Sequence, residues 1–185
     1  MNVKRIYLMG MKHTGKSVHG RALAERLGAR FYDIDTLVQE LDSTEGAMRR
    51  PVRDIYREDG AERFRQLEAA ACRLAAELTE ELVVSTGGGI CDNPEALEAI
   101  SDGLRVHLRD SYDAIAHRIF RGGIPAFLHT DEEPVARSRL RELYDRRVAS
   151  YDGIADLTID LTDLTIADAR SLVLRTVEEH INGGK

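Results

Sequence analysis

The segment from Gly10 to Ser17 has the residue types and the spacing that can bind the phosphate groups of a nucleotide. It reads Gly-Met-Lys-His-Thr-Gly-Lys-Ser and matches the pattern G-x-x-x-x-G-K-[ST]. In such a loop the backbone N–H groups surround a phosphate, the lysine reaches the β- and γ-phosphates, and the serine hydroxyl binds Mg²⁺. The predicted nucleotide-binding residues are Gly10, Thr14, Gly15, Lys16, Ser17 and Val18, with Lys16 also catalytic and Ser17 also a metal ligand.

Two aspartates, Asp33 and Asp35, follow a second short segment of strand character, Ala29 to Asp33. Phosphoryl transfer to an alcohol requires Mg²⁺ near the phosphates and a group that orients or deprotonates the attacking hydroxyl. Two carboxylates two residues apart at a strand end point in different directions, so one can face Mg²⁺ and the other an acceptor hydroxyl. Alternatively, Asp35 only caps the helix that follows, because aspartate is a preferred N-cap residue.

Three consecutive glycines, Gly87, Gly88 and Gly89, follow the apolar segment from Leu82 to Ser85. Without side chains they let the backbone approach a ligand closely and donate N–H groups, although a loose turn is the alternative. Many nucleotide-hydrolysing proteins carry an aspartate for Mg²⁺ at this strand end, whereas this chain has no acidic residue there. Arginines can bind carboxylates and phosphates through two parallel bonds, but spacing alone selects none of them.

Alternating strand and helix patterns place these residues at strand ends. Strands are predicted at residues 5–9, 29–33, 82–85, 104–108 and 157–160, and helices at 18–28, 35–41, 51–57, 61–78, 94–100, 111–120, 135–150 and 165–181. The helix over 61–78 is expected to bury Phe64, Leu67, Ala71, Leu74 and Leu78, and residues 44–50 are predicted to form a loop. Five strands alternating with helices predict an α/β fold with a parallel sheet covered on both faces. In such sheets ligands bind beyond the carboxyl ends of the strands.

The composition is typical of one soluble globular domain spanning residues 1–185. The net charge of −6 argues against a nucleic-acid surface, and no apolar run approaches the roughly 18 residues of a membrane span. Cys72 and Cys91 are isolated, which predicts free thiols in a reducing compartment, and a strand pattern near residue 5 leaves no expected secretory leader. We therefore expect a cytoplasmic monomer whose partner is a small molecule.

In combination, these motifs resemble those of the shikimate kinase family. The matching segments are the phosphate-binding loop and residues 31–35, 59–68, 85–89 and 147–151, so the resemblance covers nearly the whole chain. It implies a P-loop NTPase architecture of the nucleoside monophosphate kinase type, with a lid at about residues 121–134 and an acceptor-binding region at about 35–65. The implied reaction transfers the γ-phosphate of ATP to the 3-hydroxyl of shikimate, with Mg²⁺, in aromatic amino-acid biosynthesis.

The resemblance also implies roles for individual residues. Asp33 would lie near Mg²⁺ as a metal ligand, and Asp35 would hold the acceptor hydroxyls as a candidate base. Arg65 and Arg147 would bind the acceptor carboxylate, and Gly87, Gly88 and Gly89 would line the acceptor pocket.

One departure from the family pattern concerns the lid, where Ile124 stands in place of an arginine that meets the ATP phosphates. Arg121, three residues earlier, is the candidate substitute and completes the predicted nucleotide-binding set. The chain also carries Arg49, Arg50 and Arg53 on the expected acceptor side. Two alternatives follow: a related P-loop kinase acting on another small hydroxy acid, or a nucleotide- or metabolite-binding regulator without turnover.

Overall fold

The computed structural model describes residues 4–43 and 49–183, which form a five-stranded parallel sheet with the strand order β2-β3-β1-β4-β5. The strands are β1 (Arg5–Met9), β2 (Arg30–Asp33), β3 (Leu82–Ser85), β4 (Leu104–Arg109) and β5 (Leu157–Asp160). The helices within these residues are α1 (Lys16–Leu27), α2 (Ile34–Asp42), α3 (Val52–Glu77), α4 (Pro94–Ala99), α5 (Tyr112–Phe120), α6 (Glu133–Ile154) and α7 (Ile166–Gly183), with short 3₁₀ turns at Ile90–Asp92 and Ala126–Leu128. The predicted fold class is confirmed.

The sheet register brings the carboxyl ends of the strands together. Leu8 of β1 pairs with Ser85 of β3, and Met9 pairs with His107 of β4. Asp33, at the end of β2, pairs with Ser85 as well. Because all strands are parallel, the phosphate-binding loop, the aspartate pair and the glycine loop leave the sheet at the same edge.

Helices cover both faces of the sheet, so the central strands β1 and β3 are apolar throughout rather than alternating. One face packs against α2, α3, α4 and the end of α6, around Tyr7, Met9 and Val84. The opposite face packs against α1 and α7. A third apolar cluster joins α5, α6 and the segment before α6 to Met11 of the phosphate-binding loop.

Helix α3 matches its prediction at Gly60 and differs from it at Leu74. The expected break is present, since Gly60 has the non-helical angles φ 87° and ψ 169° between two helical stretches. The predicted burial of Leu74 is wrong, since this side chain is 42% exposed. The small residues Ala71, Cys72 and Ala75 face the core. The loop predicted at 44–50 lies mostly outside the described residues.

Within residues 4–43 and 49–183, no helix has the length and apolar character needed to cross a membrane.

Candidate active site

The phosphate-binding loop joins β1 to α1 and is stabilised by its own backbone. The Thr14 hydroxyl donates to the carbonyl oxygen of Met11 (2.9 Å), and Gly15 precedes α1 with φ 88°. Gly10 has φ 140°, and a Cβ there would collide with the carbonyl oxygen of Leu108. Both glycines are therefore required by the backbone, and the first N–H groups of α1 face the space above the loop.

Lys16 lies beneath this loop and is 7% exposed. Its Nζ donates to the carbonyl oxygens of Gly10 and Met11, each at 2.9 Å. Burial lowers the pKa of Lys16 to about 8, and the carboxylates of Asp35 and Asp33 oppose that shift only in part. The loop thus contains a preorganised ammonium group beside two carboxylates.

Oxygen atoms of Ser17, in the first turn of α1, and of the strand-end residues Asp33 and Ser85 form a cluster next to Lys16. The Ser17 hydroxyl donates to Oδ2 of Asp33 (2.6 Å) and lies 3.1 Å from the hydroxyl of Ser85. Sequence reasoning missed Ser85, although its place at the end of β3 was a usable signal. Hydroxyl and carboxylate oxygens are ligands that suit Mg²⁺, which usually takes one or two protein groups together with phosphates and water. In the described part of the chain, no group of three or more His, Cys, Asp or Glu side chains forms a dedicated metal site.

The two aspartates have different positions at the start of α2. Asp33 is the N-cap of α2, and its Oδ1 accepts from the backbone N–H of Asp35 (3.1 Å). Asp35 itself lies in the first turn of the helix and is exposed to solvent. The idea that Asp35 serves as the cap is therefore wrong, and its carboxylate is free for another role. Although solvent reaches Asp35, surrounding protein atoms and then the Asp33 carboxylate raise the pKa of its carboxyl group.

The glycine loop after β3 lies in close contact with both sides of the site. A Cβ on Gly88 would lie 2.9 Å from the backbone nitrogen of Lys12 in the phosphate-binding loop. A Cβ on Gly87 would collide with Glu68, and one on Gly89 would lie 2.9 Å from Nη2 of Arg147. These glycines therefore allow close packing against protein atoms, and their predicted close approach to a ligand stays a prediction.

Glu68 is a buried carboxylate that sequence reasoning did not single out. It is 2% exposed, and its Oε2 accepts from Nδ2 of Asn93 (2.9 Å), which also donates to the backbone carbonyl oxygen of Arg65. Burial raises the pKa of Glu68, the bond from Asn93 opposes that shift, and the charge of Asp35 adds to it. Asn93 therefore ties α3, including Arg65 and Glu68, to the turn after the glycine loop.

Arg147 extends from α6 across the glycine loop. Its Nη1 donates to the carbonyl oxygen of Gly88 (2.8 Å), and its Nε donates to Oδ2 of Asp92 (2.9 Å). Arg65 is exposed on α3, and its guanidinium forms no hydrogen bond or ion pair within residues 4–43 and 49–183. Val18 is 50% exposed in the first turn of α1, which is unusual for valine and fits a surface that a nucleotide covers.

A family model described as shikimate kinase matches residues 12–178 of this chain. The chain belongs to the shikimate kinase family. It is 33% identical over 178 residues to a shikimate kinase of Desulforudis audaxviator, covering 96% of this chain and 88% of that protein. It is also 33% identical over 174 residues to one of Caldanaerobacter subterraneus, covering 94% and 95%.

Solved structures of the shikimate kinase family share this fold over almost its whole length. A shikimate kinase from Acinetobacter baumannii in complex with shikimate superposes with a TM-score of 0.81 at 26% identity, covering 100% of this chain and 96% of that chain. The enzyme from Aquifex aeolicus has a TM-score of 0.73 at 27% identity, covering 97% and 99%. This chain is accordingly a small-molecule kinase.

In this shikimate kinase family member, residues 124–129 of the predicted lid are held by apolar contacts and hydrogen bonds. Leu128 is 3% exposed and packs in the cluster that contains Met11, with Ile124 and Phe127 against it. Arg139 of α6 donates to the carbonyl oxygens of Leu128 and His129, each at 2.7 Å. Ile124, at the position of the family arginine, thus contributes to packing.

Arg118 of α5 is the arginine that contacts the phosphate-binding loop. Its Nη1 donates to the carbonyl oxygen of His13 (3.0 Å) and to Oδ2 of the buried Asp110 (2.6 Å). The Nε and Nη2 groups of Arg118 have no partner within the described residues. Arg121 lies at the exposed end of α5, and its side chain forms no bond in that same part of the chain. The nucleotide contact of Arg121 stays a prediction, and Arg118 is a second basic residue near the phosphate-binding loop that sequence reasoning did not single out.

Gly89→Ala should weaken acceptor binding without unfolding the protein. Gly89 has φ −127° and ψ 11°, which alanine can adopt, but the new methyl group would lie 2.9 Å from Nη2 of Arg147 and displace its guanidinium. We expect the KM for the acceptor to rise about tenfold, since a small misplacement of a binding group has large kinetic effects. Steady-state kinetics measure the KM, and a thermal melt measures the stability of the variant.

Gly153→Ala is the matched control for this substitution. Gly153 lies on α6, as Arg147 does, and a Cβ there meets no atom within 4 Å. This variant should keep the kinetic constants of the wild type. An unchanged KM in Gly89→Ala would contradict the placement of the acceptor beside Arg147.

Proposed function

We propose that this enzyme transfers the γ-phosphoryl group of ATP to the 3-hydroxyl of shikimate. The observation that carries the proposal is a site with two different ends at one edge of the sheet. At one end lie the phosphate-binding loop and Lys16, and at the other lie Arg147 and the glycine loop, which approach each other where Gly88 meets Lys12. A nucleotide triphosphate suits the first end, and a small carboxylic acid suits the second.

The residues near the junction of the two ends fit the requirements of phosphoryl transfer. Lys16 offers positive charge to the phosphoryl oxygens, where charge must be stabilised in the transition state. Asp35 is solvent-accessible, close enough to Lys16 to influence its pKa, and can orient the acceptor hydroxyl and accept its proton. Family membership supports shikimate as the acceptor, and the shikimate kinase of Acinetobacter baumannii has been solved in complex with shikimate.

The oxygen cluster at the strand ends supports Mg²⁺ as the required ion. Ser17 would be a direct ligand, and Asp33 would lie beside it as a second ligand or through water. When bound, Mg²⁺ neutralises charge on the β- and γ-phosphates. Asp33 also holds the backbone N–H of Asp35, so the same side chain links the metal position to the acceptor position.

A coupled assay of ADP release tests the proposed function. Purified enzyme with ATP and Mg²⁺ should release ADP at a rate that depends on shikimate, and mass spectrometry should detect shikimate carrying one phosphate. Absence of shikimate-dependent release between about pH 6 and pH 9 would reject the proposal.

The additional arginines on the acceptor side give little support to a different acceptor. Arg49 lies 3.0 Å from Glu40, and Arg53 lies 3.7 Å from Asp54. Arg50 donates to both carboxylate oxygens of Asp42 and to acidic residues before the kink of α3. Each of these guanidinium groups already has an acidic partner, so none is needed for a second acidic group on the acceptor. Location in the cytoplasm and a monomeric state stay predictions.

Arg118→Ala should raise the KM for ATP about tenfold, because a guanidinium bond to phosphate is charge-assisted. Arg121→Ala is the matched control, and it should change that KM by less than about twofold, as expected for an exposed side chain. The measurement is initial rate against ATP concentration at saturating shikimate. A larger effect in Arg121→Ala than in Arg118→Ala would assign the phosphate contact to the lid instead.

A further inference from the structure

Asp92 lies between the glycine loop and α6 and contacts two adjacent arginines of that helix. Its Oδ2 accepts from Nε of Arg147 (2.9 Å) and lies 2.7 Å from Nη2, while its Oδ1 accepts from Nη1 of Arg146. Its backbone N–H donates to the carbonyl oxygen of Gly89 (2.9 Å), so the glycine loop holds the backbone that carries the Asp92 carboxylate. Burial opposes ionisation of Asp92, but the bonds from Arg146 and Arg147 outweigh it and hold the pKa below its usual range.

These bonds use one edge of the Arg147 guanidinium and leave another available. A guanidinium has five N–H donors. In the described structure Asp92 accepts a hydrogen bond from Nε, the Gly88 carbonyl oxygen accepts one from Nη1, and Nη2 lies 2.7 Å from Oδ2 of Asp92 as an ion-pair contact. Both terminal nitrogens therefore keep an N–H that forms no hydrogen bond within the described residues, and a carboxylate can accept two parallel bonds from such a pair.

Helix α6 has anchors other than the Asp92–Arg147 pair, whose side chains are 22% and 19% exposed. The packing of Leu140 and Tyr151, which are both fully buried, already anchors α6 on either side of Arg147. The contacts of both Nε and Nη2 with Asp92 hold the Arg147 guanidinium in one orientation.

We propose that Asp92 is a positioning residue for the acceptor: it holds Arg147 by Nε and Nη2 so that the remaining N–H groups face the acceptor carboxylate. The proposal rests on the proposed function, because it takes shikimate as the source of that carboxylate. Arg147 then binds one acceptor carboxylate, since Asp92 already contacts the other edge of its guanidinium. Asp92 acts through Arg147 and does not touch the reacting atoms.

Asp92→Asn tests this role, because asparagine keeps the size and one acceptor oxygen but lacks the charge. The KM for shikimate should rise about tenfold, whereas kcat should change by less than about twofold, as expected for a contact that binds substrate and transition state equally. The methyl ester of shikimate cannot use the carboxylate contact, so its kcat/KM should be the same in wild type and variant. In an Arg147→Ala background, Asp92→Asn should have no further effect on the KM for shikimate.

Glu95→Gln is the control, since Glu95 is a 70% exposed carboxylate three residues away that pairs with Arg73, and the KM should stay at the wild-type value. An unchanged KM in Asp92→Asn would overturn the positioning role. A lower KM would also overturn it, because Asp92 would then compete with the acceptor for Arg147. Wild-type enzyme without shikimate turnover would reject the proposed function itself and, with it, this inference.

Discussion

Asp35→Asn is expected to lower kcat for shikimate phosphorylation by about 10³-fold, the scale of a lost general base. The amide can still accept a hydrogen bond from the acceptor hydroxyl, but it cannot take the proton. The KM for shikimate should change far less than kcat, since size and one acceptor oxygen are kept. Steady-state kinetics at saturating ATP measure both constants.

The matched control is Asp113→Asn, because Asp113 lies in the first turn of α5 as Asp35 lies in the first turn of α2. It should keep wild-type kinetics. A kcat for Asp35→Asn within about tenfold of wild type would rule out the base and leave Asp35 as a binding group only.

The pH profile gives a second measure of the same group. The raised pKa of Asp35 means that kcat should fall as the pH decreases through a value above that of an ordinary aspartate. A carboxyl group whose pKa is raised on folding favours the folded state below its unfolded pKa, and this contribution is lost as the pH rises through the folded value. Above the folded pKa of Asp35 the ionised carboxylate no longer stabilises the folded state, so Asp35→Asn should not lower the Tm at alkaline pH. A marked drop in Tm would indicate a structural role.

Lys16→Met should lower kcat by about 10²- to 10³-fold, the effect of removing one preorganised charge from the transition state. Methionine fills a similar volume beneath the loop but offers no N–H group to the phosphates. Because burial holds the pKa of Lys16 near 8, the affinity of the free enzyme for ATP should also decrease as the pH rises above about 8. Single-turnover measurements with ATP and shikimate separate the chemical step from binding.

Lys4→Met provides the comparison, because Lys4 is an exposed lysine before β1 and outside the site. This variant should keep both the rate and its pH dependence. If Lys16→Met retained most of the wild-type rate, the charge at the phosphate-binding loop would have to come from another residue, and Arg118 would be the first to examine.

The elements of the fold follow from short-range patterns in the sequence. The predicted bounds of β1, β3 and β5 match the structure; β1 and β3 are mostly apolar runs, and β5 alternates apolar and polar residues. Gly10 and Gly15 occupy the positive-φ positions that the loop requires, and Gly28 ends α1 in the same conformation. Because β2 and β3 are parallel, Asp33 and Ser85 lie side by side at the ends of these strands.

Contacts between side chains of distant segments could not be predicted from short-range patterns in the sequence. The capping role belongs to Asp33 and not Asp35, because the path of the chain out of β2 decides which carboxylate meets the free N–H groups of α2. Leu74 is exposed because the rotation of α3 about its axis depends on what lies beneath it. The spacing of apolar residues predicts which face of α3 is buried only to within about one residue.

By itself, the amino-acid sequence determined the fold class, the phosphate-binding loop and the edge of the sheet where the site lies, because backbone preferences and hydrophobic periodicity act over a few residues. Only the tertiary structure decided which arginine reaches the loop and which carboxylate orients Arg147. Arg118 and His13 are 105 residues apart in the chain, and Arg147 and Asp92 are 55 apart. The direction of a long side chain depends on the helix that carries it and on a partner that only folding brings near.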